Sequence, residues 1–298
     1  MHGLTSAPYS IVATGRGPTP VVLSSPHSGR HYPAGLLDQL RVGAHVLRAF
    51  EDGPLDELLL PACRVGAVLV AARYARAVVD LNRDATELDP EALPVVERGN
   101  GLRATLRARA GLGVVPTRLG GQPIYRGALR GDDLELRLRH VHLPYHAELD
   151  RLLDERRGTF GVAVLLDVHS MPTAGLAGPE TGIDVSLGDR YGRACDASLV
   201  DAVELVLVDA GLKVARNRPY AGGYITERHG RSDQNRHALQ IELRRGLFMD
   251  ETSHRVTAGA TAIADLLARV VAIVLDRAAG LGFDAADGGE LRSSLAGR

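Results

Sequence analysis

The stretch Val162-Ala163-Val164-Leu165-Leu166-Asp167-Val168-His169-Ser170 constrains the fold more than any other part of the chain. Its first half is an unbroken apolar run rich in β-branched residues, the pattern of a strand buried on both faces of an α/β sheet. It then breaks into Asp-Val-His-Ser. Polar side chains at the carboxyl end of such a strand face the crevice where open α/β sheets bind ligands. A second run, Val21-Val22-Leu23-Ser24-Ser25, ends in the same manner in Pro26-His27-Ser28-Gly29. Two buried strands that each carry a histidine at the tip point to a metal site.

Around these two strands the pattern alternates between strand and helix. Further strands are expected at Val65–Ala72, Ala77–Leu81, Ile183–Leu187, Lys213–Arg216 and Ala238–Leu243. Helices are expected near Gly35–Arg41, from Pro54 to about Pro61, from Asp132 to about Arg157, near Asp196–Ala210 and over residues 255–279. Pro144 falls inside the third of these and should kink or split it. Residues 84–131 are rich in Gly and Pro; loops, a short helix near Leu102–Ala110 and a hairpin around Val114–Tyr125 are expected there. Gly-rich residues 174–182 should form a loop, and the last dozen residues a frayed tail. The result is an α/β fold, a three-layer α/β/α sandwich with a mixed central sheet, because some strand-to-strand connections are too short for crossovers. No internal repeat or long linker divides the 298 residues, so one domain is expected, with its core over about residues 20–280.

Composition narrows the function classes. A net charge of -1 with 24% charged residues offers no basic field for nucleic acid or an anionic membrane. The longest apolar stretch, Ile263–Leu275, is interrupted by Asp265 and Arg269, well short of the ~20 apolar residues of a spanning helix. Two cysteines, Cys63 and Cys195, form no disulfide framework and fit a reducing, cytoplasmic setting. Residues 1–10 lack a basic segment followed by an apolar one, so no signal peptide is expected.

The polar residues at the strand tips carry the chemistry. Catalytic zinc sites use three protein ligands and keep a fourth position open. His27 and His169 are the leading imidazoles; Glu51 in Phe50-Glu51-Asp52 is the leading carboxylate, with Asp52 its close rival. Glu242 interrupts the apolar Ala238–Leu243 run. Either strand alternation turns it to solvent, or it is a buried carboxylate suited to general-base work. Asn82-Arg83 can hold a substrate carboxylate through the guanidinium fork, or Arg83 can pair structurally with Asp80 or Asp84. Arg216 and Asn217 can make a second anion contact. Gly222 and Gly223, followed by Tyr224, can bring backbone amides to a ligand, and His146 with Tyr145 can reach the pocket.

Taken together, these residues resemble the N-formylglutamate amidohydrolase (deformylase) family. The resemblance is carried by Ser25-Pro26-His27-Ser28-Gly29, Glu51-Asp52 with Asp56-Glu57-Leu58, Ala72-Arg73-Tyr74 through Asp80-Leu81-Asn82-Arg83, Pro144-Tyr145-His146, Asp167-Val168-His169-Ser170, Ala221-Gly222-Gly223-Tyr224, and His237 to Leu243 with Met249-Asp250-Glu251. The order His, acid, Asn-Arg, His, Glu is also similar to that of zinc carboxypeptidases and aspartoacylases. The resemblance implies a zinc-exopeptidase (phosphorylase/hydrolase)-like fold and one Zn²⁺ per chain on His27, Glu51 and His169. It implies catalysis by Glu242 and Arg83, and substrate binding by Asn82, Arg83, His146, Arg216, Asn217, Gly222, Gly223 and Tyr224. The implied reaction is hydrolysis of an anionic N-acyl amino acid, foremost N-formyl-L-glutamate to L-glutamate and formate. A zinc carboxypeptidase, another N-acyl amino acid deacylase, and a non-catalytic metal- or carboxylate-binding homologue are the alternatives. Thr226-Glu227-Arg228-His229-Gly230 departs from the Thr-Arg-His-Tyr-Gly common in the family, at a place that bears on side-chain specificity.

Overall fold

The computed structural model describes residues 4–14, 17–98, 101–173 and 180–286. The frayed tail and most of the Gly-rich 174–182 loop lie outside the described residues. By contacts the chain divides into two compact units. The first comprises Met1–Ser10, Ser25–Gly53 and Val70–Glu148, and the second Ile11–Ser24, Pro54–Leu69 and Leu149–Arg298.

The second unit is built on a mixed sheet. Its strands are β1 (Tyr9–Val12), β2 (Val21–Ser25), β3 (Val68–Ala72), β4 (Ala163–Met171), β5 (Val185–Gly188), β6 (Val214–Arg216) and β7 (Arg236–Arg244), in the order β1-β3-β2-β4-β7-β5-β6. The first three begin or end in segments of the first unit. β4 pairs in parallel with β2 and β7, β7 pairs antiparallel with β5, and β5 is parallel to β6. Every residue of β2, β3 and β4 is buried. Continuous apolar runs, not alternating ones, are what strands covered on both faces require. The α/β class and the mixed sheet are as the sequence predicts.

Helix packing follows the same logic. The long helix Gly259–Ala286 lies on the helices Leu60–Val65 and Ala197–Asp209. It buries Ile263, Leu266, Leu267, Val270, Val271 and Val274, residues at helical spacing. The Ala197–Asp209 helix starts where expected, because the Asp196 carboxylate accepts from the Ser198 amide and caps it.

In the first unit one strand expectation fails. Ala77–Leu81 is buried but forms no strand. The Val78 amide donates to the Ala75 carbonyl, Arg76 Nε sits 2.7 Å from Asp80 Oδ2, and the Asp80 amide donates to the Val114 carbonyl. The run is therefore a compact turn with an apolar interior, and apolarity alone does not separate that from a strand. Near Pro144 the expected interruption of the helix is present. Gly131–Arg137 continues through a π-helical turn, Leu138–His142, into Leu143–Phe160. The wider turn shifts the hydrogen-bond pattern just where Pro144 has no amide proton to give.

Candidate metal and substrate site

The β2 tip leads into the loop that carries His27. Gly29 has no substitute there: a Cβ on it would lie 2.0 Å from the Tyr74 carbonyl oxygen. His27 is buried. Its Nε2 lies 2.8 Å from Asp80 Oδ1, and its Nδ1 lies 3.3 Å from Asp52 Oδ2. The Asp52 amide in turn donates to the His27 carbonyl at 3.1 Å, tying the two segments together. Burial works against ionisation of Asp80, but Arg76, His27 and Arg83 outweigh it and hold the carboxyl well below the usual carboxylate range.

His169 is arranged in the same manner at the tip of β4. Its Nε2 lies 2.8 Å from Asp167 Oδ2, two residues back on the same face of the strand, and Ser24 Oγ donates to Asp167 Oδ1 at 2.7 Å. With Nε2–H of each ring given to a buried carboxylate, Nδ1 is the nitrogen each ring offers as a ligand. His27, Asp52 and His169 each offer one ligand atom, all within 4.8 Å of one another. Two imidazoles oriented by carboxylates, plus one carboxylate ligand, form a donor set suited to a catalytic zinc ion with an open position.

The carboxylate in this cluster is Asp52, not Glu51, which corrects the sequence-based choice. Glu51 Oε1 accepts from the Tyr32 hydroxyl, and Oε2 faces Arg48 Nε at 3.8 Å. Burial, and then this bond to Glu51, push the Tyr32 phenol far up from its ordinary value, so Tyr32 remains a donor. Adjacent residues of an extended segment point apart, and spacing could not say which of the two turns inward.

Glu242 is 7% exposed, which removes the solvent-facing alternative. The β4–β7 register places it opposite His169, so the two side chains share a face of the sheet. Gln240 NH₂ donates to Glu242 Oε1 at 2.8 Å, and Gln240 Oε1 accepts from the Gly223 amide at 2.7 Å.

Asn82 and Arg83 follow Asp80, and the Asn82 amide donates to Asp80 Oδ1 at 2.9 Å. Arg83 Nε donates to the Leu112 carbonyl at 2.9 Å and stands 3.9 Å from Asp80 Oδ2, so part of the structural pairing is present. His146 Nε2 lies 3.0 Å from the Leu81 carbonyl and His142 Nε2 lies 2.8 Å from the Arg83 carbonyl, with the two rings 4.5 Å apart. The imidazole pair thus braces the backbone on either side of Asn82. That is the position found for His146, which was expected to reach toward substrate.

Three other residues expected to contact substrate have protein partners. The Arg216 guanidinium binds Glu204 and Asp201 on the Ala197–Asp209 helix. Asn217, at φ +57°, bonds Asp189 Oδ1 through its NH₂ and the Asp189 and Tyr191 amides through its oxygen. Gly223 gives its amide to Gln240. Gly222, at φ +103°, makes the turn before Tyr224, which opens the short helix Tyr224–His229. Asp80, Asp167 and Gln240 were not singled out as site residues; their i±2 or i±3 spacing from His169, Glu242 and Arg83 is the signal that marks them.

Residues 19–249 match the family model described as N-formylglutamate amidohydrolase. The N-formylglutamate deformylases of Pseudomonas putida and Pseudomonas aeruginosa are each 31% identical to this chain, over 80% and 79% of it and 84% of each relative. A crystal structure of N-formylglutamate amidohydrolase from Ralstonia eutropha JMP134 superposes with a TM-score of 0.86 at 32% identity, covering 92% of this chain and 99% of that one. A gene product of Agrobacterium tumefaciens shares the fold, with a TM-score of 0.63 at 21% identity over 91% of this chain and 96% of its own.

Proposed function

This chain belongs to the N-formylglutamate amidohydrolase family and is a hydrolase of amide bonds, and from that premise we propose that it converts N-formyl-L-glutamate to L-glutamate and formate with one Zn²⁺ held by His27, Asp52 and His169. The observation that carries this reading is the approach of those three ligand atoms to within 4.8 Å of one another. When bound, zinc supplies a Lewis acid that polarises the formyl carbonyl and eases deprotonation of water.

The remaining work falls to side chains. Glu242, beside His169, takes a proton from the attacking water and delivers it to the nitrogen as the C–N bond breaks. The water oxygen ends in formate and the proton on the amino group, so the reaction balances. Asn82 and Arg83 hold the substrate carboxylate, and Arg83 stabilises charge that develops on the carbonyl oxygen. Bracing of this turn by His142 and His146 supports that role by fixing where the guanidinium starts. Gly222 and Tyr224 border the substrate. Both units contribute residues to the family match, and we take them as one functional domain.

No helix of the described residues is long and apolar enough to cross a membrane. Two buried free cysteines support the cytoplasmic assignment.

The test is Glu242→Gln in the zinc-loaded protein, with formate release as the assay. A fall in kcat of about 10²–10⁴-fold, with zinc content unchanged, is expected for loss of a general base. Wild-type protein that holds stoichiometric zinc and leaves N-formyl-L-glutamate intact would falsify the substrate. A panel varying acyl group and side chain then identifies the amide it does cleave.

A further inference from the structure

Gln240 joins two parts of the site. It is 3% exposed on β7, two residues before Glu242 and on the same face. Both ends of its amide are engaged, at 2.7 Å to the Gly223 amide and 2.8 Å to Glu242 Oε1. Chemistry decides which end is which. A backbone N–H can only donate, so the atom facing Gly223 is the carbonyl oxygen, and the NH₂ faces Glu242, whose Oε1 accepts. The glycine turn is pressed onto the sheet at this point. Gly188 lies opposite Gln240 in the β5–β7 register, and a Cβ on Gly188 would lie 2.4 Å from the Gly222 nitrogen.

We propose that Gln240 is a positioning residue that sets the rotation of the Glu242 carboxylate and couples it to the seating of the Gly222-Gly223-Tyr224 turn. The inference rests on the reading of Glu242 as the proton carrier. A carboxylate with one oxygen fixed by a donor has its second oxygen fixed by planarity. Without that donor the terminal torsion, which is broad for Glu, loses one of its restraints. Any ligand that seats or lifts the turn is then felt at Glu242 through a single amide. General-base catalysis depends steeply on such placement, and misplacement by about 1 Å costs on the order of 10²-fold in rate.

Gln240→Glu separates the two bonds. It keeps an oxygen for the Gly223 amide but, when ionised, offers no donor to Glu242. Gln240→Met removes both bonds at similar volume. Zinc-loaded full-length variants are compared for kcat and KM on N-formyl-L-glutamate, for zinc content and for Tm. Gln240→Glu is expected to lower kcat about 10–100-fold with KM within about twofold of wild type. Gln240→Met should lower kcat to a similar extent and also raise KM. In a Glu242→Gln background, either change should lower kcat no further than about twofold, because the group it positions is gone. Wild-type kcat in both Gln240 variants, alongside an inactive Glu242→Gln, overturns this inference alone. Full additivity with Glu242→Gln overturns it as well. An active Glu242→Gln overturns the reading beneath it. If Gln240→Glu does not fold, the kcat of Gln240→Met decides.

Discussion

Asp167→Asn separates metal affinity from stability. Asp167 is fully buried, and its two oxygens accept from Ser24 Oγ at 2.7 Å and face His169 Nε2 at 2.8 Å. Asparagine can remake both bonds: its oxygen accepts from Nε2–H, and its NH₂ donates to the Ser24 hydroxyl, which rotates to accept. The tautomer of His169 is preserved and no buried polar atom is orphaned. The stability of the metal-free protein should therefore change by no more than about 1 kcal/mol, the net worth of a typical hydrogen bond. What is lost is negative charge behind the imidazole, which makes the ring a weaker ligand. Changes at such outer-shell partners cost about 10–100-fold in metal affinity, equivalent to about 1.4–2.8 kcal/mol. Affinity therefore falls more than stability does. Zinc competition against a chromogenic chelator measures the first, and urea unfolding of the metal-free protein the second. An affinity within twofold of wild type would refute the assignment of His169 as a ligand oriented by Asp167. So would a loss confined to stability.

Two further outcomes are expected. Arg216→Ala should leave KM for N-formyl-L-glutamate unchanged within error and cost well under about 1 kcal/mol of stability, because its partners Glu204 and Asp201 lie on an exposed helix surface; a tenfold rise in KM in steady-state assays would restore it as a substrate contact. The Asp150 carboxyl is pushed up by burial, but hydrogen bonds from His229, Arg236 and Arg228 outweigh this and hold it well below the usual carboxylate range. Its folded pKa therefore lies under the unfolded value of about 3.9, so the stability it contributes is fully present above that pH and drains away as pH falls below it. Asp150→Asn should lower Tm at pH 7, and the gap to wild type should narrow between about pH 4 and pH 2; a gap constant down to pH 2 would contradict this.

Much of the architecture was legible because buried parallel strands advertise themselves. The apolar run from Val162 and the one from Val21 were strands in the sheet centre, with His169 near the end of the first and His27 two residues beyond the second. Ala77–Leu81 was equally apolar and was not a strand, since the Arg76–Asp80 pair and the Asp80–Val114 bond folded it into a turn. Local composition does not record such distant partners. The choice between Glu51 and Asp52 failed for a related reason: a single backbone rotation decides which carboxylate faces His27. Arg216 looked available only because its partners Asp201 and Glu204 belong to a helix twelve or more residues earlier. Gln240 was hidden in plain view, as a polar residue in a strand already marked by Glu242.

The β4–β7 ladder runs for nine paired residues, from Ala163 against Arg236 to Met171 against Arg244. Its apolar rungs work as a ruler that sets His169 level with Glu242. Exchanging Val, Ile and Leu among those rungs alters packing but not the count, and such drift is cheap for the chemistry. Inserting or deleting one residue in either strand is a different event, because every later side chain changes face. Length variation in relatives of this chain should therefore gather in the connecting loops, while these two strands keep their residue count through wide changes in identity.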